Sequence, residues 1–196
     1  MSAIVALLLV DIFYALASVG KRHNMHTMGL EWTLTSDEKD AIHAEARRRQ
    51  FSNEQRGLKG RNNGPEAGAM ALRLHVLGAG GEMAVASFLG MKDKVFNDVV
   101  AKRGSHDLPP DIDVKTRPRH YYDLICQLDE TPSKTLVLVT VENKQVVLHG
   151  WAKAYEAMQQ QWKREYVKGR PCYFFPKENL RPIQSLKRYV TNALLL

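Results

Sequence analysis

The stretch Asp107-Leu108-Pro109-Pro110-Asp111-Ile112-Asp113-Val114-Lys115-Thr116-Arg117 decides how the rest of the chain is read. Proline fixes φ and lacks a backbone donor, so Pro109 and Pro110 end whatever element precedes them. Charged and aliphatic residues then alternate. Asp111, Asp113 and Lys115 fall on one face of a strand, Ile112 and Val114 on the other. Like charges at neighbouring strand positions are unfavourable. A divalent cation between the two carboxylates would remove the repulsion, because hard cations take oxygen ligands. A solvated edge strand with an Asp–Lys pair is the plainer alternative.

A chain of 196 residues buries one good core and hardly two. With 28 Lys and Arg against 21 Asp and Glu, the formal charge is +7, which favours polyanions such as nucleic acid or anionic lipid without identifying either. Cys126 and Cys172 stand far apart in apolar surroundings. They form neither a zinc spacing nor a disulfide framework, and read as buried free thiols in a reducing compartment.

Three regions follow from the pattern. Residues 1–30 are an apolar extension, 31–68 an N-terminal helix with a basic, Gly-rich loop, and 69–196 an α/β core ending in a helix. Within the first, residues 3–19 fall slightly short of the ~20 needed to span a bilayer and carry Asp11 near the middle. An upstream extension or a docked apolar helix is favoured over a membrane anchor, and a cytoplasmic location is expected.

Thr35 or Ser36, followed by Glu38, marks a helix start, and the helix is expected to run to about Phe51. Its Arg47-Arg48-Arg49 reads as a solvated helix end or, with Arg56, Lys59 and Arg61, as a phosphate-contacting arm. Residues 69–89 are helical in pattern, and Gly78, Gly80 and Gly81 imply close approach of another backbone or a break into two helices. Glu82 stands alone in an apolar run, where a carboxylate must be paired, metal-bound or turned to water.

Strands are expected at 94–101, at the acidic stretch, at 121–128, at 135–141 and at 146–150, with a turn at 142–145. The run Thr135-Leu-Val-Leu-Val-Thr-Val141 suits a central strand buried on both faces. Helix is expected at 152–162, a strand at 171–175 and a terminal helix from Asn179. This order gives a mixed α/β or α+β domain.

Gly81-Glu82 on a helix, a strand pair, and then Asp111-x-Asp113-x-Lys115 resembles the core of the PD-(D/E)XK nuclease superfamily, whose fold is restriction-endonuclease-like: a central mixed β-sheet flanked by helices. Phage-encoded members are especially similar. His149-Gly150-Trp151, Arg170-Pro171-Cys-Tyr-Phe-Phe-Pro176 and Leu180-Arg-Pro-Ile-Gln-Ser-Leu186 extend the likeness over about residues 60–187. In that motif Asp111 would be the first acid and Asp113-x-Lys115 the triplet. The family usually separates the two by more than the single Ile112, so Asp107 stays as the alternative. Asp111 is placed slightly ahead because it shares a strand face with Asp113 and Lys115.

The resemblance implies an Mg²⁺-dependent deoxyribonuclease, with Mn²⁺ able to substitute. Asp113, Asp111 or Asp107, Glu82 and the Val114 carbonyl would be metal ligands, and Lys115, Asp113, Asp111 and Glu82 the catalytic set. Arg117, Arg119, Lys59 and Arg61 would hold DNA, and Tyr121 and Tyr122 would stack on bases or sit half-buried at a strand start. DNA is the expected partner, and a homodimer stays open. The rivals are a non-catalytic DNA-binding or regulatory protein on the same fold, and a membrane-associated protein using residues 3–19.

Overall fold

The computed structural model describes residues 29–57, 69–96 and 106–195. They form a mixed α/β structure of β1 (Leu30–Trp32), α1 (Ser36–Gln55), α2 (Ala69–Leu89), β2 (Ile112–Arg117), β3 (Leu124–Cys126), β4 (Thr135–Glu142), β5 (Gln145–Lys153), α3 (Ala154–Ala157), β6 (Lys163–Arg164), β7 (Cys172–Phe175), β8 (Arg181–Pro182) and α4 (Gln184–Leu194). A mixed sheet runs in the order β1-β5-β4-β2, with β8 also on β5; a smaller sheet runs β3-β7-β6. β2 and β4 are parallel, while β4, β1 and β8 all pair antiparallel with β5.

β4 is buried on both faces, as its unbroken β-branched and leucine run requires. Val137 and Val139 join α2, Ile112, Val114, Leu148 and Trp151 in one core. Leu136 and Leu138 turn the other way, onto Leu124, Cys126 and Phe175 of the small sheet. Asn143 and Lys144, both at positive φ, make the two-residue turn into β5.

Thr35 caps α1 in a capping box. Its hydroxyl accepts from the Glu38 amide at 3.3 Å, and the Glu38 carboxylate accepts from the Thr35 amide at 2.8 Å. Glu38 also accepts from the Ser87 hydroxyl at 2.7 Å, tying α1 to the end of α2. The glycines of α2 do not break it. A Cβ on Gly81 would overlap the Thr116 side chain, so it is the closeness of α2 to β2 that demands glycine there. That contact sets the next residue, Glu82, beside the acidic strand.

Several boundaries differ from expectation: β3 covers only Leu124–Cys126 of the strand expected at 121–128, and α1 runs past Phe51 to Gln55. No strand begins at Lys94: Lys92–Lys94 is a 3₁₀ turn, Phe96 adopts positive φ, and 97–101 lies outside the described residues. The helix expected at 152–162 shrinks to α3, because Thr135 pairs with Lys153 and keeps β5 extended. The last helix begins at Gln184 rather than Asn179, since Arg181 and Pro182 pair with Trp151 and Gly150. Cys126 and Cys172 are free and buried; burial raises both thiols, Cys126 to about 12. Among the described residues no helix is long and apolar enough to cross a membrane. Residues 3–19, with the expectations placed on them, lie outside the described residues, as do Lys59 and Arg61.

Candidate functional site

The chain folds back on itself just before β2. Leu108 and Ile112 form a bridge. The Asp107 and Leu108 amides donate to the Ile112 carbonyl at 2.8 and 3.1 Å, and the Ile112 amide donates to the Leu108 carbonyl at 2.9 Å. This reversal brings Asp107 alongside Val114, whose amide donates to the Asp107 carboxylate at 2.7 Å. In a strand the N–H and C=O of one residue point to the same side. The Val114 carbonyl therefore faces the edge on which Asp107 sits.

Asp111 goes elsewhere, and does not share the strand face of Asp113 and Lys115 on which its place as first acid rested. β2 begins only at Ile112, so the alternation does not reach back to Asp111. Its carboxylate accepts from Lys153 Nζ at 2.7 Å, from the Thr135 hydroxyl at 3.0 Å and from the Tyr189 hydroxyl at 3.1 Å. Lys153 in turn meets the Ser133 carbonyl, the Thr135 hydroxyl and the Tyr189 hydroxyl, and lies 4.6 Å from the Tyr189 ring centroid. This knot joins the ends of β4 and β5 to α4.

Asp107 feels the charges of both Glu82 and Asp113. Burial, followed by the charges of Glu82 and Asp113, pushes the Asp107 carboxyl well above the usual range, against the Val114 hydrogen bond that favours its ionised form. Burial acts on Asp113 in the same direction. There it is overcome by the Lys115 ammonium, the hydrogen bond from Asp107 and the charge of Lys134, so Asp113 is held low. The two carboxyls are thus pushed apart, Asp107 toward its neutral form and Asp113 toward its ionised form. Glu82 is buried, and it is paired: Arg49 grips its two oxygens at 2.7 and 2.6 Å and reaches Glu45 at 2.7 Å. Arg49 is thus neither a solvated helix end nor a free phosphate contact.

On the other side of Asp113 lie two lysines. Lys115 Nζ donates to Asp113 at 2.9 Å and to Glu130 at 2.7 Å. Lys134 Nζ donates to the same Asp113 oxygen at 3.1 Å and lies 3.3 Å from Glu130. Burial alone would lower the Lys115 ammonium, but Asp113 and Glu130 reverse this and raise it. Glu130 and Lys134 escaped the sequence reading because they lie in the loop before β4, where no periodicity marks them. Their i, i+4 acid–base spacing was the only available signal.

The remaining expected residues are scattered. The Arg117 guanidinium stacks 4.6 Å from the ring centroid of Tyr122, and Tyr122 is buried, so it offers no platform for a base. Arg119 is more exposed and lies 3.8 Å from Glu142. His120 and His149 both meet the Thr140 hydroxyl at 2.7 Å, away from the acids along the strands. Burial, then the charges of Lys177 and His120, pushes His149 down to about 4.

Among the described residues no group of three or more His, Cys, Asp or Glu side chains is placed to hold a metal ion as it stands. Mg²⁺ needs less, since it commonly takes one or two carboxylates and completes its shell with water and phosphate. The hard oxygen set of Asp107, Asp113 and the Val114 carbonyl is of the kind that such an ion takes. Comparisons with protein-family models, with curated proteins and with solved structures found nothing that matches this chain.

Proposed function

We propose that this chain is a metal-dependent nuclease that hydrolyses DNA phosphodiester bonds on a restriction-endonuclease-like scaffold. The supporting observation is the pair Asp107 and Asp113, half-buried together beside β2, with Lys115 two residues on. Asp107, Asp113 and the Val114 carbonyl would hold Mg²⁺ or Mn²⁺, with Glu82 behind them. Such an ion, when bound, supplies Lewis acidity toward a phosphoryl oxygen and lowers the pKa of a water. The Val114 amide fixes the orientation of Asp107, and Arg49 fixes Glu82. Lys115, aimed by Asp113 and Glu130, presents its ammonium where negative charge develops on the phosphorane. The surplus of +7 draws the DNA backbone and makes binding weaken with salt.

The test is incubation with plasmid and linear DNA in Mg²⁺ or Mn²⁺. Cleavage is expected, reduced roughly 100-fold or more by Asp113→Ala and by Lys115→Ala. No cleavage with either metal, or full cleavage by both variants, would sink the reading. One observation favours a non-catalytic DNA-binding protein instead: Arg49 already neutralises Glu82, and two lysines already neutralise Asp113. That protein would retain DNA in a salt-sensitive way and cut none.

A further inference from the structure

We infer that Glu130 and Lys134 are positioning residues of this site, fixing the Lys115 ammonium between two carboxylates; the inference rests on the nuclease reading. Two carboxylates and two ammonium groups form a closed ring: Asp113–Lys115 at 2.9 Å, Lys115–Glu130 at 2.7 Å, Glu130–Lys134 at 3.3 Å and Lys134–Asp113 at 3.1 Å. The ring is neutral, and its side chains are only 8–19% exposed. Burying so many charges is unfavourable unless each is matched, so the surrounding structure must hold the ring closed.

It does so through the loop that precedes β4. The Lys134 amide donates to the Thr131 carbonyl at 3.1 Å, and the Lys134 carbonyl accepts from the Ala154 amide at 2.9 Å. The Tyr155 amide donates to the Pro132 carbonyl at 3.0 Å, and Lys153 Nζ holds the Ser133 carbonyl at 2.9 Å. A loop pinned at four consecutive residues delivers Glu130 and Lys134 to the same face of β2.

The geometry assigns different work to the two residues. An ammonium has three N–H donors. Two of those on Lys115 go to carboxylates, one on β2 and one on the loop before β4, which fixes the nitrogen so that the third would serve a water or a phosphate oxygen. Lys134 shares both of those carboxylates and balances the second negative charge. Without it, Lys115 would face two buried anions alone and be drawn toward them. Neither residue has to touch substrate. Removing either should therefore slow turnover while leaving DNA binding in place, which a DNA-contacting lysine would not do.

The experiment compares wild type, Lys134→Met, Lys134→Arg and Glu130→Gln in steady-state DNA cleavage with Mg²⁺, with circular dichroism melts to count folded protein. Lys134→Met and Glu130→Gln are expected to lose ~10–100-fold in kcat, the range typical of residues that orient a site from behind. KM should stay within about threefold of wild type. Lys134→Arg, which keeps charge and donors, should recover most of the rate. If Lys134→Met does not fold, the near-isosteric Glu130→Gln decides. A wild-type kcat in a folded Lys134→Met or Glu130→Gln protein, or a loss confined to KM, would overturn this inference alone. A wild-type protein that cuts no DNA overturns the nuclease reading and this inference with it.

Discussion

Asp107 and Asp111 are four residues apart, and their surroundings are opposite. Asp111 is answered by an ammonium and two hydroxyls. Asp107 is half-buried in the field of two other carboxylates and hydrogen-bonded by one backbone amide. The first arrangement lowers the energy of the fold. The second raises it, because an ionised Asp107 would sit in a field of like charge. A carboxylate kept in an unfavourable place is a better candidate for chemistry than one made comfortable.

The comparison can be broken most directly by Asp107→Asn and Asp111→Asn. Asp107→Asn should lower the DNA cleavage rate by roughly 100-fold or more, while Asp111→Asn should cut at close to the wild-type rate. The stability effects should run the other way. Because the folded pKa of Asp107 is raised, its contribution to stability is present below the pKa of the unfolded chain and is lost as pH rises through the folded value. At neutral pH and above, Asp107→Asn should therefore be more resistant to urea than wild type. Equal urea midpoints across that range would remove the contrast.

His149 extends the comparison to a buried site where imidazoles and a hydroxyl replace the acids. Its folded pKa of about 4 lies below the unfolded value near 6.5. The protons bound differ between those two limits, so stability is complete above pH 6.5 and falls as pH drops toward 4. A loss of about 2–3 kcal/mol between pH 7 and pH 4 is expected, read from urea unfolding, and His149→Gln should flatten it.

Asp111→Asn should cost about 2 kcal/mol, since Lys153 keeps its acceptors from Ser133 and Thr135 but loses its anion. Tyr189→Phe should cost about 1 kcal/mol, by removing a hydroxyl that donates to Asp111 and accepts from Lys153. A loss for Tyr189→Phe as large as that for Asp111→Asn would mean that the hydroxyl, and not the ammonium, holds the knot.

These pairs also show what could be read from the chain. The two-residue period places Asp113 and Lys115 on one face of β2, and the apolar run makes β4 a strand with two buried sides. Thr35 and Glu38 announce their helix because a capping box is a local interaction. The opposite surroundings of Asp107 and Asp111 were not legible, because they depend on a reversal between Leu108 and Ile112 that alternation does not encode. Arg49 on Glu82 is a contact between residues 33 apart in sequence, and Glu130 with Lys134 arrives on a loop. The helix expected at 152–162 failed for the same reason: pairing of Lys153 with Thr135 overrides local propensity.

Among the described residues, β2 is also the outermost strand of its sheet, with β4 on one side only. An exposed strand edge is a template on which a second chain can add its own strand. Over Ile112–Val114 that template is already covered, because Leu108 takes the Ile112 amide and Asp107 takes the Val114 amide. The turn that seats Asp107 therefore also keeps molecules from zipping together along this edge. Loosening it would first show as self-association of an otherwise folded protein.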